Sequence, residues 1–270
     1  MNVTGKVFAV TGGGSGIGRE VVLELLRRGA RVAAIDLRQE GLDGTRQRAG
    51  ATAARLTTHT ADVTDVAEVA ALPDAIIEAH GAVDGLLNVA GIIQKFVPFA
   101  ELDVADIERV LSVNFWGVVT TTRAFLPHLM RRPEAALVNV SSMGAFIPVP
   151  GQTIYGASKA AVKLLTEGLH AELLGSPVKV TVVFPGAVAT SITENSGVRA
   201  PAVAGANNNA SNAKVLPPDK AAAIIIKGME KGAYRVLVGR DAQMMDLFTR
   251  LVPERAMTMI AAKMAGLLQR

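Results

Sequence analysis

Strand-like and helix-like apolar patterns alternate along this chain about seven times, and this order limits the fold more than any other feature of the sequence. Short apolar runs predict strands at residues 6–11, 31–36, 55–62, 85–89, 136–140, 178–184 and 235–238. Helical spacing of apolar residues predicts helices at residues 17–28, from 65 onward, at 103–130, 154–174 and 219–231, and in a C-terminal region. Because crossovers between parallel strands are right-handed, this order predicts an α/β fold: a doubly wound parallel sheet of about seven strands with helices on both faces. Ligands of such sheets bind beyond the carboxyl ends of the strands.

The composition fits one α/β domain over residues 1–270. Half of the residues are hydrophobic and only 4% are aromatic, which favours helices packed on a Val- and Ile-rich parallel sheet. The chain has no cysteine, so disulfides, thiolate nucleophiles and zinc–thiolate sites are excluded, and a reducing cytoplasm is the expected setting. Neither a signal peptide nor an apolar run of ~18 residues is recognisable, so we expect no membrane span.

The basic residues are concentrated near the C-terminus. The chain has 28 Lys and Arg against 24 Asp and Glu, and residues 227–270 alone hold eight basic and four acidic residues, which equals the whole net charge of +4. This basic tail is interpreted as a solvated helix face or as a surface for an anionic substrate group or peripheral membrane contact. Basic and aromatic residues do not interleave, so nucleic-acid binding is not expected. The four His are scattered, so no metal site is expected, and Asp103 is interpreted as a helix cap.

A glycine-rich turn links the first predicted strand to the first predicted helix. Its sequence is Thr11-Gly12-Gly13-Gly14-Ser15-Gly16-Ile17-Gly18. Glycines allow the backbone to approach a pyrophosphate, and the N-terminus of the following helix attracts its charge. Asp36 ends the second predicted strand, 18 residues after Gly18, where its carboxylate can accept hydrogen bonds from adenosine ribose hydroxyls. The two features together predict a dinucleotide site.

Tyr155 and Lys159 form the main chemical signal. They are four residues apart at the start of a predicted helix, so their side chains project from one face. A phenol with a pKa of ~10 is a poor base at neutral pH, and lowering its pKa by about 3 units requires roughly 4 kcal/mol of preferential stabilisation of the phenolate. A neighbouring ammonium and an oxidised nicotinamide can supply that stabilisation.

Between residues 11 and 190 the motifs resemble, in order and spacing, those of the short-chain dehydrogenase/reductase family, which implies a Rossmann-type fold. The glycine turn has the family's Thr-Gly-x-x-x-Gly-Ile-Gly form, Asp62 and Val63 stand where its members meet the adenine ring, and residues 185–190 match the motif that holds the nicotinamide carboxamide. Residues 88–91 match the family's Asn-Asn-Ala-Gly except at Val89. That departure concerns a hydrogen bond that supports the sheet and not the cofactor site.

The residue pattern and the resemblance together define a set expected to bind the cofactor. The set is Gly12, Ser15, Gly16, Ile17, Gly18, Asp36, Leu37, Asp62, Val63, Asn88, Ala90, Gly91, Tyr155, Lys159, Pro185, Gly186, Val188 and Thr190. A carboxylate at Asp36 repels a 2'-phosphate, and the glycine turn and Leu37 provide no cation to offset it, so NAD is favoured over NADP. Arg38 is the nearby cation and is interpreted as an exposed residue of a polar loop.

The resemblance also assigns a catalytic tetrad. Ser142 precedes Tyr155 by 13 residues, as the catalytic Ser of the family does, and Asn114 matches the Asn that completes the tetrad. The resemblance implies that Tyr155 exchanges the substrate proton and that Ser142 binds the carbonyl oxygen. It implies that Lys159 holds the nicotinamide ribose and lowers the Tyr pKa, and that Asn114 retains a relay water. Ser141 is one residue too far from Tyr155 and is given a structural role.

These features predict an oxidoreductase that transfers a hydride between NAD(H) and a secondary alcohol or ketone. The alternative is a catalytically silent NAD-binding regulatory or scaffold protein of the same fold, which the complete tetrad disfavours. The scarcity of polar side chains at residues 146–150 favours an apolar substrate. Residues 190–216 are predicted to form a substrate lid and residues 241–270 a C-terminal helical extension. The resemblance implies a homodimer or homotetramer that assembles through the helices at 103–130 and 154–174.

Overall fold

A seven-stranded sheet forms the centre of the structure, a computed structural model in which residues 1–198 and 215–268 are described. The strands are β1 (Val7–Thr11), β2 (Arg31–Asp36), β3 (Leu56–Thr60), β4 (Gly85–Asn88), β5 (Ala135–Val140), β6 (Val178–Pro185) and β7 (Arg235–Val238). The helices are α1 (Gly16–Arg27), α2 (Gln39–Ala49), α3 (Val66–His80), α4 (Val104–Leu111), α5 (Gly117–Leu129), α6 (Thr153–Glu172), α7 (Ile192–Asn195), α8 (Pro218–Glu230), α9 (Arg240–Leu251) and α10 (Pro253–Lys263).

The strand order is β3-β2-β1-β4-β5-β6-β7, and each neighbouring pair is parallel. The chain builds outward from β1 to β3, returns to the centre, and continues from β4 on the other side of β1. The predicted doubly wound parallel sheet is therefore confirmed. The strand order reverses between β1 and β4, and the crevice beyond their carboxyl ends is where ligands of such folds bind.

Successive residues of the strands face two separate apolar layers. Phe8 and Val10 of β1 pack with α1, α2 and α8 on one face of the sheet. Val7 and Ala9 pack with α3 and α5 on the other. All four side chains are at most 3% exposed. Because helices cover both faces, polar chemistry is confined to the edge at which the strands end.

Three local features differ from the sequence-based expectations. Helix α2 was not predicted, because only Leu42, Thr45 and Ala49 of its residues are buried. The single helix predicted at residues 103–130 is α4 and α5 joined by a π-helical turn at Ser112–Trp116, a distortion that is frequent at functional sites. Asp103 occupies the N-cap position of α4, as predicted, but within the described residues its carboxylate accepts no capping hydrogen bond and lies 3.6 Å from Lys95 Nζ.

Residues 199–214, which make up most of the predicted lid at 190–216, lie outside the described residues. The start of that segment contains α7, and Leu216 pairs with Val188 beside β6. In the C-terminal region, α9 and α10 pack on Ile147. Within the described ranges, no helix is long and apolar enough to cross a membrane, and His, Cys, Asp and Glu form no group of three or more that could hold a metal ion.

Candidate active site

A cleft of about 430 Å³ opens where the strand order reverses. All of the residues predicted to bind the cofactor line it except Asn88, and so do Ser142, Tyr155 and Lys159 of the predicted tetrad. Asp36 ends β2 and Tyr155 lies on α6, so the cleft extends over both halves of the sheet. Other lining residues were not singled out from the sequence, among them Ile92, Val113, Ile192 and Asn195.

The turn between β1 and α1 leaves no room for side chains at two glycines. Gly12 has a φ of +71°, and a Cβ on it would lie 2.9 Å from Ala90 Cα. A Cβ on Gly18 would lie 2.1 Å from the Gly12 carbonyl oxygen. Ser15 and Gly16, at the N-terminus of α1, line the cleft. A bare backbone at the positive end of a helix fits the pyrophosphate of a dinucleotide.

Asp36 is fixed at the end of β2 by two backbone groups. The Gly14 N–H donates to Oδ2 at 2.9 Å, and the Arg38 N–H donates to Oδ1 at 3.1 Å. The Arg38 side chain is exposed, as expected, but it also lines the cleft, and its Nη2 donates to Asn195 Oδ1 at 2.5 Å. Asn195 in turn donates to Ser15 Oγ at 2.9 Å. A carboxylate and a guanidinium therefore both line this cleft.

Asn88 lies behind the cleft rather than in its lining. Asn88 is only 2% exposed. Its Nδ2 donates to Asn139 Oδ1 at 2.9 Å, and its Oδ1 accepts a hydrogen bond from Thr121 Oγ1 of α5. It ties β4 to β5 and α5. The N–H groups of Val89 and Ala90 donate to Thr11 Oγ1 at 3.0 and 3.2 Å. These backbone bonds hold the end of β4 at the position where Val89 departs from the family motif.

Tyr155 projects from the first turn of α6 into the cleft, and Ser142 lies against it. Ser142 Oγ accepts a hydrogen bond from the Gly144 N–H at 3.0 Å, which orients the hydroxyl. Burial raises the pKa of Tyr155, and the hydrogen bond from Ser142 lowers it by less. In the chain alone the phenol is a weaker acid than usual.

Lys159 is a buried ammonium one helical turn beyond Tyr155. The residue is 3% exposed, and burial lowers its pKa from 10.5 to about 8. Its Nζ donates to the Val140 carbonyl at 3.1 Å. A Cβ on Gly91 would lie 3.0 Å from Nζ, so the glycine leaves space for the ammonium. Ser141 Oγ donates to the Lys159 carbonyl at 2.7 Å, a structural contact between β5 and α6.

Asn114 stands in the π-helical turn, fully buried, and both ends of its amide are bonded to the protein. Oδ1 accepts from the Ile92 N–H at 2.8 Å, while Nδ2 donates to the Ile92 carbonyl at 2.9 Å and to Ser158 Oγ at 3.0 Å. The side chain clamps the segment after β4 to α6, which carries Tyr155 and Lys159. The water-holding role that the resemblance implies for Asn114 stays a prediction.

Gln94 is a functional residue that sequence reasoning missed. It is fully buried, and its Oε1 accepts hydrogen bonds from the backbone N–H groups of Ile154 and Tyr155 at 2.7 and 3.0 Å. Gln152, at the N-cap position of α6, uses its Nε2 to bind the Gln94 carbonyl at 2.8 Å. Gln94 thus supplies from another segment the acceptor that a helix N-terminus needs. It fixes the end of the helix that carries Tyr155.

The chain is similar to known proteins in both sequence and structure. Residues 6–199 match the family described as short chain dehydrogenase. A Mycobacterium tuberculosis protein described as an oxidoreductase, SadH, is 37% identical over 97% of this chain and 96% of its own length. The 1-deoxy-11-beta-hydroxypentalenate dehydrogenase of Streptomyces avermitilis is 33% identical over 90% of this chain and 88% of its own. A short chain dehydrogenase/reductase from Burkholderia phymatum in complex with NAD has a TM-score of 0.83 at 27% identity, covering 94% of this chain and 96% of its own.

A second solved structure carries the other nicotinamide cofactor. It is a short chain dehydrogenase from Burkholderia cenocepacia in complex with NADP, with a TM-score of 0.80 at 27% identity, covering 96% of this chain and 99% of its own. A doubly wound sheet with a glycine turn and a Tyr-Lys pair at its point of reversal defines a nicotinamide-dependent oxidoreductase. More specifically, the chain belongs to the short-chain dehydrogenase family. It is an NAD(P)-linked oxidoreductase of alcohols and ketones, and nothing in these matches favours a silent scaffold.

Proposed function

We propose that this protein is an NAD-dependent dehydrogenase or reductase of secondary alcohols and ketones with an apolar body. The observation that carries the proposal is one continuous cleft with Asp36 in one part of its lining and Ser142, Tyr155 and Lys159 in another. When bound there, a nicotinamide cofactor supplies the acceptor or donor of the hydride. The side chains of this chain supply binding, orientation and proton transfer.

The proton is assigned to Tyr155. In the reducing direction its hydroxyl donates a proton to the substrate oxygen, and in the oxidising direction its oxygen takes the proton back. Ser142 binds the same substrate oxygen through its hydroxyl. Because burial raises the pKa of Tyr155, the phenolate requires nearby positive charge. Lys159, with a pKa of about 8, is still largely protonated at neutral pH and is positioned on the same helix face to provide it.

An apolar substrate is supported by the segment that follows Ser142. Met143 and Ile147 pack with Met245 and Ile260 of the C-terminal helices. The cleft that holds the catalytic hydroxyls is itself lined by apolar side chains, among them Ile92, Val113 and Ile192. These side chains offer contact area to an aliphatic or aromatic body and few hydrogen bonds to a sugar-like one. The helices α9 and α10 of the C-terminal extension, which pack on Ile147, are proposed to complete this substrate end.

The direct test is an absorbance screen at the reduced-nicotinamide band. The purified protein is mixed with NAD or NADP and a panel of secondary alcohols, and with NADH or NADPH and the matching ketones. We expect turnover with apolar members of the panel and higher kcat/KM with the NAD pair. If neither cofactor supports turnover of any alcohol or ketone, although both bind, the proposed reaction is wrong.

The cofactor preference gives a separate prediction. We expect Asp36→Ala to lower the ratio of kcat/KM for NAD to that for NADP by at least about tenfold, because removing the carboxylate at the end of β2 would remove its repulsion of a 2'-phosphate. Arg38→Ala should move the ratio in the opposite direction, since that guanidinium lines the same part of the cleft. Asp43→Ala, an exposed acid on α2, is the matched control and should leave the ratio unchanged. An unaltered ratio in Asp36→Ala would assign the preference to another residue.

Assembly and cellular setting are also proposed rather than shown. Trp116, Val104 and Leu164 are 57%, 67% and 69% exposed on the helical segments that were expected to form subunit contacts, which supports a homodimer or homotetramer. Light scattering of the purified protein measures the oligomeric state directly.

A cytoplasmic setting is supported by the absence of cysteine. Peripheral contact of the basic C-terminal region with membranes can be checked by cosedimentation with anionic vesicles.

A further inference from the structure

Asp241 belongs to none of the sequence motifs, yet it contacts the loop at residues 185–190, which is expected to hold the nicotinamide. It stands in the first turn of α9, directly after β7, while the loop follows β6. The Ala187 N–H donates to Asp241 Oδ2 at 2.6 Å. The neighbouring residues Pro185, Gly186 and Val188 line the cleft. A carboxylate of the C-terminal region therefore fixes the backbone at the catalytic end of the cofactor site.

Two glycines make room for this carboxylate. A Cβ on Gly186 would lie 2.2 Å from Asp241 Oδ1, and a Cβ on Gly239 would lie 2.4 Å from the same oxygen. Gly239 also has a φ of +105°, a conformation that residues with a side chain rarely adopt. Neither position accepts another residue unless the carboxylate moves away. At the N-terminus of α9 its negative charge is also favoured by the helix dipole.

The other side of the loop is held by the backbone of Leu216. The Leu216 N–H donates to the Ala187 carbonyl at 3.0 Å, and the Ala189 N–H donates to the Leu216 carbonyl at 3.1 Å. The Gly186 N–H donates to the Val238 carbonyl of β7 at 2.9 Å, and Asp241 binds the next N–H along, that of Ala187. Without Asp241 the bonds to Val238 and Leu216 remain, but the Ala187 N–H loses its acceptor.

We propose that Asp241 is a positioning residue that sets the Gly186–Ala187 turn to receive the nicotinamide carboxamide. The proposal rests on the proposed function, since it needs a nicotinamide in the cleft. Asp241 touches neither substrate nor cofactor in this role and acts through the loop backbone. It links helix α9 of the C-terminal region to the cofactor site through the loop backbone.

The test compares NADH with ADP-ribose, which lacks the nicotinamide ring. Calorimetry should show that Asp241→Ala raises the dissociation constant of NADH about tenfold, in keeping with the loss of one charge-assisted hydrogen bond, and leaves that of ADP-ribose unchanged. Asp241→Asn keeps an acceptor oxygen and should restore most of the NADH affinity. Asp246→Ala is the matched control, because this acid of the same helix pairs with Arg235 and Arg250 away from the loop; it should change neither constant.

Equal weakening of NADH and ADP-ribose in Asp241→Ala, or unchanged NADH affinity, would overturn the positioning role. If Asp241→Ala does not fold, the same comparison is made with Asp241→Leu, which keeps a branched side chain of similar size but has no acceptor oxygen: a loss confined to NADH supports the role, and no loss or an equal loss refutes it. Failure of the wild-type protein to bind NADH or NADPH at all would refute the proposed function itself, an outcome that is read before any variant is compared.

Discussion

Tyr155→Phe should lose turnover by about 1000-fold or more while still binding NADH. The substitution removes one oxygen, and with it the group that donates a proton to the substrate oxygen or accepts one from it, an effect typically worth 10²- to 10⁴-fold. The ring remains to fill its place on α6, where Gln94 still accepts the backbone hydrogen bond of residue 155. Steady-state kinetics with a substrate found in the absorbance screen measures the loss, and NADH fluorescence measures the binding.

The chain provides a matched control because it contains only two tyrosines. Tyr234 is 41% exposed and packs against His170, with 4.6 Å between the ring centroids. It does not line the cleft that Tyr155 and Ser142 line. Tyr234→Phe should retain nearly full activity. Substantial remaining turnover in Tyr155→Phe, with normal cofactor binding, would remove the proton-transfer role from this phenol.

The cofactor part of the site could be predicted because it is encoded locally. Gly12, Gly18 and Asp36 belong to three consecutive elements at the start of the chain, and a strand followed by glycines and a helix leaves few alternatives for the backbone. The Tyr155 and Lys159 pair is likewise set by one helical turn. The sheet follows from the same kind of signal, because strands buried on both faces are continuous apolar runs.

The features that could not be predicted act between distant segments. Gln94 caps α6 across 61 residues of sequence, and Asp241 binds Ala187 across 54. No sequence motif links either residue to its partner at such separations.

Helix α2 is a related case. It has two glycines and a narrow apolar stripe, and its place is fixed by tertiary contacts such as the bond from Thr45 Oγ1 to the Gly13 carbonyl at 2.8 Å. Local propensity is weak there, so packing decides.

Removing the buried ammonium should stabilise the fold while it destroys activity. Lys159→Met keeps a flexible side chain of similar length and deletes the charge that is proposed to hold the nicotinamide ribose and to favour the phenolate. We therefore expect turnover to fall at least about 100-fold. Lys163→Met is the matched control one turn further along α6, because Lys163 is partly exposed and pairs with Glu167 at 2.8 Å. It should change activity and stability little.

The stability change follows from the pKa of Lys159. Burial lowers it from 10.5 to about 8, which corresponds to about 3 kcal/mol of destabilisation of the folded state when the group is charged. Loss of the hydrogen bond to the Val140 carbonyl offsets about 1 kcal/mol of the gain. Lys159→Met should therefore raise the free energy of unfolding at pH 7 by about 2 kcal/mol and Tm by roughly 5 °C.

The pH dependence of this difference separates charge burial from a simple improvement in packing. Because the pKa is lower in the folded state, the unfolded wild-type chain binds more protons between pH 8 and 10.5, and wild-type stability gains from this group as the pH rises through that window. Below pH 8 the ammonium is charged in both states and its destabilising effect is constant. The extra free energy of unfolding of Lys159→Met should thus be largest at neutral pH and shrink toward pH 10, as measured by urea unfolding at each pH.

Two results would contradict this explanation. One is a difference in the free energy of unfolding that is the same at pH 10 as at pH 7, and the other is a variant that is less stable than wild type at pH 7. Either result would show that the buried charge of Lys159 does not destabilise the fold.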